Sequence, residues 1–483
     1  MQRAIPPDSS RRVLVSKNGT SQHEAVGDLH LAADNFAGAI DAYGLALAEV
    51  GRADVPGRVR LQLRIAQAEF HRGAYDASLA AARAAREDAR LLEDVRVLAL
   101  IAVRYAAILN ETANYRRSLR YARWAYETLK DSDEHRAVGA AALAIGNNIQ
   151  KLGDPHAAIE WFQSACATYR RIEDSDGLVM ALNNLGLIYK NLREWREAIR
   201  FLEQALSIDE RKGLYARMRG HHQNLGLIRY RLGQWDLAEE HFRQSLRISV
   251  EVGHPTSEAQ ALLAQGMLAR RRRQYERAGE HFRRALELSA QSHSARETQL
   301  SREFLAEIEL DRGAGLAALQ LLQPALDEAL ERAPQGDIAM ELQIRMSHAL
   351  QLVGRHEESR TFALRGLALA ERLGDRIEYA IALRVMARLD ALQGQHAAMD
   401  ARMREAAQIF EQLGEMYELA STLSAWGEYL ALMPASVRLR VTLDSVSDGS
   451  RRAAAMFRQL GVLSLAAEAL LTLARLESER EHF

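Results

Sequence analysis

The sequence has few of the residues that build disulfide-linked or metal-centred sites. Its one cysteine, Cys166, excludes an intramolecular disulfide and any four-cysteine metal site. The chain has only 8 prolines and 6% aromatic residues, and it is rich in alanine, leucine, arginine and glutamate. That composition is typical of a protein that is helical almost throughout. A single cysteine also suits the reducing cytosol, so we expect a cytoplasmic protein.

Neither sign of charge dominates the chain. There are 63 basic and 64 acidic residues, which give a formal net charge of −1. The protein as a whole therefore attracts neither nucleic acid nor an anionic membrane, and we predict no direct contact with either. The N-terminus lacks the apolar run of a secretory signal, and the apolar stretch near 137–149 is too short to span a bilayer.

Catalytic signatures are missing as well. The sequence contains no phosphate-binding P-loop, no dinucleotide-binding glycine motif between a strand and a helix, no H-E-x-x-H and no G-x-S-x-G. His221 and His222 are adjacent, so on a helix they point in different directions and make a poor metal pair. We expect no enzyme activity, no cofactor and no metal.

What the sequence does have is an internal repeat with a period of 40 residues. Four segments align without gaps, and each has two runs of apolar residues at helical spacing, separated by a break. This pattern predicts a helix–turn–helix unit. The positions shared by the four copies are Gly146, Gly186, Gly226 and Gly266; Ala158, Ala198, Ala238 and Ala278; and Phe162, Leu202, Phe242 and Phe282.

The second copy resembles the tetratricopeptide repeat (TPR). The matching residues are Leu182, Leu185, Gly186, Tyr189, Ala198, Leu202 and Ala205. The period exceeds the usual length of about 34 residues, and the closing proline is absent. Both departures are explained if each helix is one turn longer, with roughly 17 residues and about 25 Å. The resemblance implies an all-α, right-handed superhelical solenoid of about eleven antiparallel helix pairs.

The repeat predicts the organisation of the chain. We expect a disordered segment over 1–20, a solenoid over 21–432 and an irregular insertion over 433–450, where the period breaks. Residues 451–483 resume the pattern as a last helical pair or the start of a further repeat. An unpaired first helix at the end favours a piece of a longer protein, and the alternative is a polar capping helix over 463–476.

The resemblance also implies where a ligand would bind. In this family the first helices line a concave groove, at positions three residues before the repeated glycine and one, four and five residues after it. We add the neighbouring Asn184 and Asn224. The predicted peptide- or partner-binding residues are Asn147, Lys151, Asn183, Asn184, Leu187, Lys190, Asn191, Gln223, Asn224, Leu227, Tyr230, Arg231, Met267, Arg270 and Arg271.

Asparagine and arginine in these helices each allow two interpretations. Asparagine is unfavourable inside helices, but its amide can donate to and accept from an extended peptide backbone. The alternative for Asn184 and Asn224 is that they satisfy neighbouring backbone groups. Arginines such as Arg231 and Arg270 form a basic edge that suits an acidic peptide. The alternative, for Arg272 and Arg273, is contact with the helix dipole and solvent.

The amino-acid sequences of the repeats resemble those of the N-terminal TPR regions of bacterial multidomain regulators, especially the sigma-N enhancer-binding transcription activators. In those proteins the repeats precede an AAA+ ATPase and a helix-turn-helix domain. This implies a protein- or peptide-binding sensor module of a signalling or transcription regulator. Two alternatives are a stand-alone scaffold or chaperone-like adaptor, and a sensor fused to a cyclase, kinase or protease domain. Long exposed helical faces are compatible with a homodimer.

Overall fold

The computed structural model describes residues 22–33, 35–431 and 440–480, and the chain divides after Lys212 into two compact units, unit 1 and unit 2. The helices of unit 1 are α1 (Gln22–Ala32), α2 (Phe36–Glu49), α3 (Val55–His71), α4 (Tyr75–Ala89), α5 (Val95–Glu111), α6 (Tyr115–Leu129), α7 (His135–Lys151), α8 (Pro155–Arg171), α9 (Ser175–Asn191) and α10 (Trp195–Lys212). A 3₁₀ turn, Arg90–Leu92, follows α4.

Unit 2 continues the same alternation of helices. Its helices are α11 (Tyr215–Arg231), α12 (Trp235–Val252), α13 (Pro255–Arg271), α14 (Tyr275–Gln291), α15 (Ala295–Asp311), α16 (Gly315–Arg332), α17 (Asp337–Leu352), α18 (His356–Leu373), α19 (Arg376–Leu392), α20 (His396–Leu413), α21 (Met416–Ala431), α22 (Arg440–Gln459) and α23 (Leu463–Arg480). No strand occurs in the described ranges, and the prediction of an all-α solenoid of helix pairs is confirmed.

Consecutive helices pack as pairs in both units. Within the described residues α1 to α22 form eleven pairs, and α23 packs against α22 and α21. First helices also contact first helices of the next pair, as α5 contacts α7 and α13 contacts α15. Second helices make at most marginal contacts of this kind in the same ranges. The first helices therefore form the inner layer of each unit.

The repeated glycines are where the two helices of a pair cross most closely. A Cβ on Gly146 would lie 2.6 Å from Phe162, and one on Gly266 would lie 2.3 Å from Phe282. The aromatic ring of the second helix occupies the space that a side chain on the first helix would need. Glycine and phenylalanine therefore recur every 40 residues because each repeat contains one such helix crossing.

Helix length and turn conformation account for the long period. The first helices α7, α9, α11, α13 and α15 each have 17 residues, as the sequence predicts. Each ends in a short turn with one residue at positive φ, which is glycine at Gly153, Gly233 and Gly313 but arginine at Arg193 and Arg273. This left-handed residue ends the first helix and lets the chain reverse.

The structure differs from the predicted boundaries at the insertion over 433–450. Helix α22 begins at Arg440, so residues 440–450 are helical rather than irregular. Residues 432–439 lie outside the described residues, and so does the segment 1–20 that the sequence predicts to be disordered. A search of the described helices finds none with the length and apolar character needed to cross a membrane.

Candidate functional site

A buried asparagine organises the inner layer of unit 1. Asn148 is fully buried, and its Nδ2 donates to Ser118 Oγ at 2.7 Å and to the Ala144 carbonyl at 2.6 Å. Its Oδ1 accepts a hydrogen bond of 3.1 Å from Asn110 Nδ2. These hydrogen bonds join α7, which carries Asn148, to α5 and α6.

The predicted groove residues beside it divide into bonded and open side chains. Asn184 Nδ2 donates to Asn147 Oδ1 at 3.0 Å, so these two amides join α7 to α9. Asn183 is partly buried and has no hydrogen-bond partner among the described residues. Lys151 and Asn191 are exposed at the ends of their helices.

Leu187 and Lys190 lie on the same helix as Asn183 and are both partly buried. Burial lowers the pKa of the Lys190 ammonium, because the charged form loses hydration. The inner face of α9 thus combines an open amide, an apolar side chain and a partly desolvated cation.

The two predicted amides of unit 2 are bonded within the protein. Asn224 Nδ2 donates to the Gly220 carbonyl of its own helix at 3.0 Å, as the structural alternative expects. Gln223 Oε1 accepts a hydrogen bond of 3.2 Å from Ser245 Oγ, and Gln223 Nε2 donates one of 3.5 Å to the Gln260 carbonyl. Leu227 packs in the cluster around Trp235.

The arginines at the ends of α11 and α13 also pair with carboxylates of the protein itself. Arg231 lies 3.2 Å from Glu415, and Arg271 pairs with Glu418. Arg272, for which solvent contact was the expected alternative, pairs with residues of α12. The other ion pairs at this edge are Arg272 with Asp236 and Glu239, Arg273 with Glu468, and Arg270 with Glu307 and Asp311.

An apolar contact accompanies these ion pairs and joins the same helices of unit 2. Leu460, which directly follows α22, joins a buried cluster with Trp235 of α12 and Leu268 of α13. The ring of Tyr417 lies 5.8 Å from that of Trp235, centroid to centroid. Helices α21 to α23 therefore close against α11 to α13, and this contact is here called the closure.

The closure encloses a cavity of about 390 Å³, lined by the inner helices α11, α13, α15, α17, α19 and α21. Five predicted groove residues lie in its lining, and they are Tyr230, Arg231, Met267, Arg270 and Arg271. None of the predicted residues of unit 1 lies in this lining.

An arginine on α17 holds the carboxylates of the cavity. Arg345 Nε donates to Glu307 Oε1 at 2.7 Å, and its Nη1 donates to Glu378 Oε2 at the same distance. Arg345 also lies 3.4 Å from the fully buried Glu303. One guanidinium therefore joins carboxylates from α15 and α19, which lie on either side of it.

Burial raises the pKa of two further acidic groups, Glu341 and Glu303. Burial raises the pKa of Glu341 to about 7, aided by the charge of Glu378 and opposed by Arg345. Burial and the neighbouring Glu341 raise the pKa of Glu303 well above its ordinary value. Burial therefore favours the protonated form of Glu303, and Glu341 is divided between its two forms at neutral pH.

One end of the cavity has polar groups without partners. Arg388, His348 and Tyr429 all line it, and none has a hydrogen bond or ion pair within the part of the chain that the structure describes. Gln351 Nε2 donates to the Val385 carbonyl at 2.8 Å, while its buried Oε1 is unpartnered in the same part of the chain. Burial, with Arg388 and three other arginines nearby, lowers the pKa of His348 to about 3.

The groove positions predicted from the sequence cover four repeats only and therefore omit the cavity residues of α15. Carrying the 40-residue period one step further reaches Ala306, and the same offsets then give Glu303, Glu307, Leu310 and Asp311. The last three line the cavity. The period itself therefore contains the signal that could have identified them.

Comparison with known proteins agrees with this architecture. Residues 138–211 and 217–291 match the family model of the tetratricopeptide repeat. No curated protein matches the chain in sequence. A signal-transduction ATPase with numerous domains and a tetratricopeptide repeat sensor, from Pyrococcus horikoshii, superposes with a TM-score of 0.51 and 15% identity. The match covers 71% of this chain and 50% of that one.

Two further solved structures are similar over most of this chain. The apo form of the quorum sensor NprR from B. thuringiensis has a TM-score of 0.49 and 12% identity, over 76% of this chain and 100% of its own. A Rap protein complexed with competence and sporulation factor has a TM-score of 0.48 and 12% identity, over 80% and 99%. The match to the tetratricopeptide repeat family covers segments 138–211 and 217–291, and helix pairs lie on either side of them in the chain.

Proposed function

We propose that this chain is a protein- or peptide-binding repeat module that acts as a sensor in a bacterial signalling or transcription regulator. The observation that carries this proposal is the inner face of α9. There the amide of Asn183 has no hydrogen-bond partner among the described residues and lies beside the partly buried Leu187.

That combination suits an extended peptide. The Asn183 amide can donate to a backbone carbonyl and accept from a backbone N–H, which holds a peptide whatever its side chains are. Leu187 offers an apolar contact on the same face, and the exposed Asn191 extends the polar row towards the end of the helix. The Pyrococcus protein has a tetratricopeptide repeat sensor, and we propose the same kind of role for this chain.

The arginines of unit 2 do not enter this proposal. Arg231, Arg270 and Arg271 already have carboxylate partners within unit 2. An acidic peptide would have to displace those partners, at a cost in free energy that an open surface does not impose.

Site-specific photo-crosslinking in the native host tests the proposal. A photoreactive amino acid replaces Leu187 on the inner face of unit 1, and a control protein carries it at the exposed Gln163 of α8. We expect a defined adduct from position 187 that is absent from position 163 and is lost when Asn183→Ala is added. Equal labelling from both positions, or labelling that survives Asn183→Ala, would contradict the proposed site.

A further inference from the structure

The cavity of unit 2 has the dimensions of a small-ligand site. Its volume of about 390 Å³ falls within the range of roughly 300 to 1,000 Å³ that small-molecule pockets occupy. Six inner helices contribute to its lining, so its shape depends on the closure. Neither the partner-binding face of unit 1 nor the proposed protein partner is involved.

Most arginines of this cavity have a structural role, because carboxylates already neutralise them. Arg270 pairs with Glu307 and Asp311, and Arg384 donates to Glu418 at 2.9 Å and to Thr422 at 3.1 Å. Removing a partner from such a pair would leave a buried charge uncompensated. These residues hold the lining together and are not free to bind a ligand.

Arg388 differs from the other cavity arginines. It lies one helical turn after Arg384 on α19 and is partly exposed, and no carboxylate of the described chain pairs with it. Tyr429 on α21 and His348 on α17 reach the same cavity, each without a hydrogen-bond partner in the described ranges. A hydroxyl donor and a neutral imidazole therefore accompany an unpaired guanidinium.

The charges of the lining favour an anion with a single charge. Six arginines line the cavity, and Arg231 among them pairs with Glu415 outside the lining. Carboxylates of the lining pair with four others, Arg270, Arg271, Arg345 and Arg384, and these carboxylates are Glu307, Asp311, Glu378 and Glu418. Only Arg388 has no carboxylate partner among the described residues. The fifth acidic group is Glu341, and its pKa of about 7 leaves it partly protonated at neutral pH. One carboxylate balances the remaining positive charge, whereas a doubly charged phosphate would leave an excess of buried negative charge.

The rest of the lining is apolar. Phe304, Ile344, Ile381 and Val385 contribute carbon surface from three neighbouring inner helices. We propose that this cavity binds a small carboxylate with an apolar body, whose carboxylate pairs with Arg388 and accepts a hydrogen bond from Tyr429. Such a group is supplied either by a free carboxylic acid or by the C-terminal residue of a peptide.

Isothermal titration of the whole protein with matched probes tests the proposal. The probes are N-acetyl-L-phenylalanine, its amide, the peptide Ala-Ala-Phe with a free or an amidated C-terminus, and phenyl phosphate, each to millimolar concentration. We expect the free acids to bind and the amides to fail, because only a carboxylate can pair with the guanidinium. Binding of the single amino acid indicates a small-molecule ligand, and binding of the peptide alone indicates a C-terminus.

Variants make the result specific to this end of the cavity. We expect Arg388→Gln to raise the Kd of the acid at least about tenfold, since a hydrogen bond to a charged group is lost. Tyr429→Phe should raise it less, and the exposed Arg365→Gln on α18 should leave it unchanged. Because Arg388 is unpaired, its replacement should leave Tm unchanged. The proposal is overturned if no free acid binds, if the amides or the phosphate bind as well, or if Arg388→Gln keeps the affinity.

Discussion

Arg271 and Glu418 are 147 positions apart in the sequence, yet their side chains form an ion pair inside unit 2. The guanidinium of Arg271 also lies over the ring of Tyr417, 4.1 Å from its centroid. Burial alone would raise the pKa of Glu418, but Arg271 and Arg384 outweigh it and lower the pKa to about 2. This carboxylate is therefore ionised at neutral pH, and it connects α13, α19 and α21.

Replacing Glu418 with glutamine tests how much the closure depends on this carboxylate. Glu418→Gln leaves Arg271 and Arg384 without a negative partner in a buried position, which typically costs about 3–5 kcal/mol. We expect a lower free energy of unfolding for unit 2 and faster hydrogen exchange in α11, α13 and α21. Urea denaturation and exchange measured by mass spectrometry check both effects.

An exposed ion pair in the same unit provides the matched control. Arg284 and Glu287 lie 3.1 Å apart on the surface of α14. Because solvent screens such a pair, Glu287→Gln should change the free energy of unfolding by less than about 1 kcal/mol. If both variants lost the same stability, the closure would not depend on the buried carboxylate.

The turn after α11 tests the apolar part of the closure. Gly233 has φ of +72°, and a Cβ there would lie 2.7 Å from Leu460 Cδ2. Gly313 occupies the equivalent turn after α15, with φ of +75°, and has nothing within 4 Å of its added Cβ. Alanine at either position costs about 1–2 kcal/mol of backbone strain, but only Gly233→Ala also displaces Leu460. We expect Gly233→Ala to lower the free energy of unfolding more and to expose α22 to hydrogen exchange.

Equal losses in the two glycine variants would mean that the contact of Leu460 contributes nothing. Strain alone is tolerated at this position of the repeat, because Arg193 and Arg273 adopt φ of 62° and 59° in the corresponding turns. The difference between the two variants therefore isolates the closure from the cost of the left-handed conformation.

The sequence predicts the local part of this structure and misses the long-range part. The recurrence of Gly146 and Gly266 opposite Phe162 and Phe282 is a consequence of one helix crossing, which a single repeat determines. The closure instead joins α11 to α13 with α21 to α23, and seven helices separate these two groups in the sequence. No spacing within one repeat indicates that Glu418 will meet Arg271.

The repeat register also changes before the cavity is complete. Ser359 Oγ donates to the Ser347 carbonyl 12 positions earlier, as Ser118 Oγ does to the Ala106 carbonyl in unit 1. The equivalent of Ala306 is thus residue 347 rather than 346, so one residue has been added. A strict period of 40 places Gln351 and Arg388 one position away from their inner-face sites and hides this end of the cavity.

The raised pKa of Glu341 predicts a pH dependence. The folded-state pKa of Glu341 is about 7, and the ordinary value is 4.5, so the folded chain binds more protons between these values. This group's contribution to stability is therefore present below pH 4.5 and is lost as pH rises towards 7. We expect Glu341→Gln to gain on the order of 2 kcal/mol relative to the wild type between pH 5 and pH 8.

Urea denaturation of unit 2 across this pH range measures the effect as a difference between proteins. His348, whose pKa is lowered to about 3, contributes stability that increases with pH from 3 to 6.5, opposite in sign to that of Glu341. It is present in both proteins and cancels in the difference. The exposed Glu331→Gln should follow the wild type. A difference that does not vary with pH would show that Glu341 ionises normally.

The asparagines of unit 1 allow structure and binding to be separated. Asn148 is fully buried and bonded to Ser118 and Asn110, so Asn148→Ala leaves buried polar groups unsatisfied. We expect unit 1 to lose about 1–3 kcal/mol, measured by urea denaturation. Asn183→Ala removes no hydrogen bond within the described chain, so its stability should change by less than about 0.5 kcal/mol.

The same two variants should rank in the opposite order in the crosslinking assay at position 187. Asn183→Ala should abolish the adduct in a protein of unchanged stability, because the open amide is the group proposed to hold the peptide. Asn148→Ala, at a temperature where unit 1 remains folded, should keep the adduct, because its amide is turned entirely towards the protein. If Asn148→Ala alone removed the adduct, packing of α5 to α7 rather than the open amide of α9 would control binding.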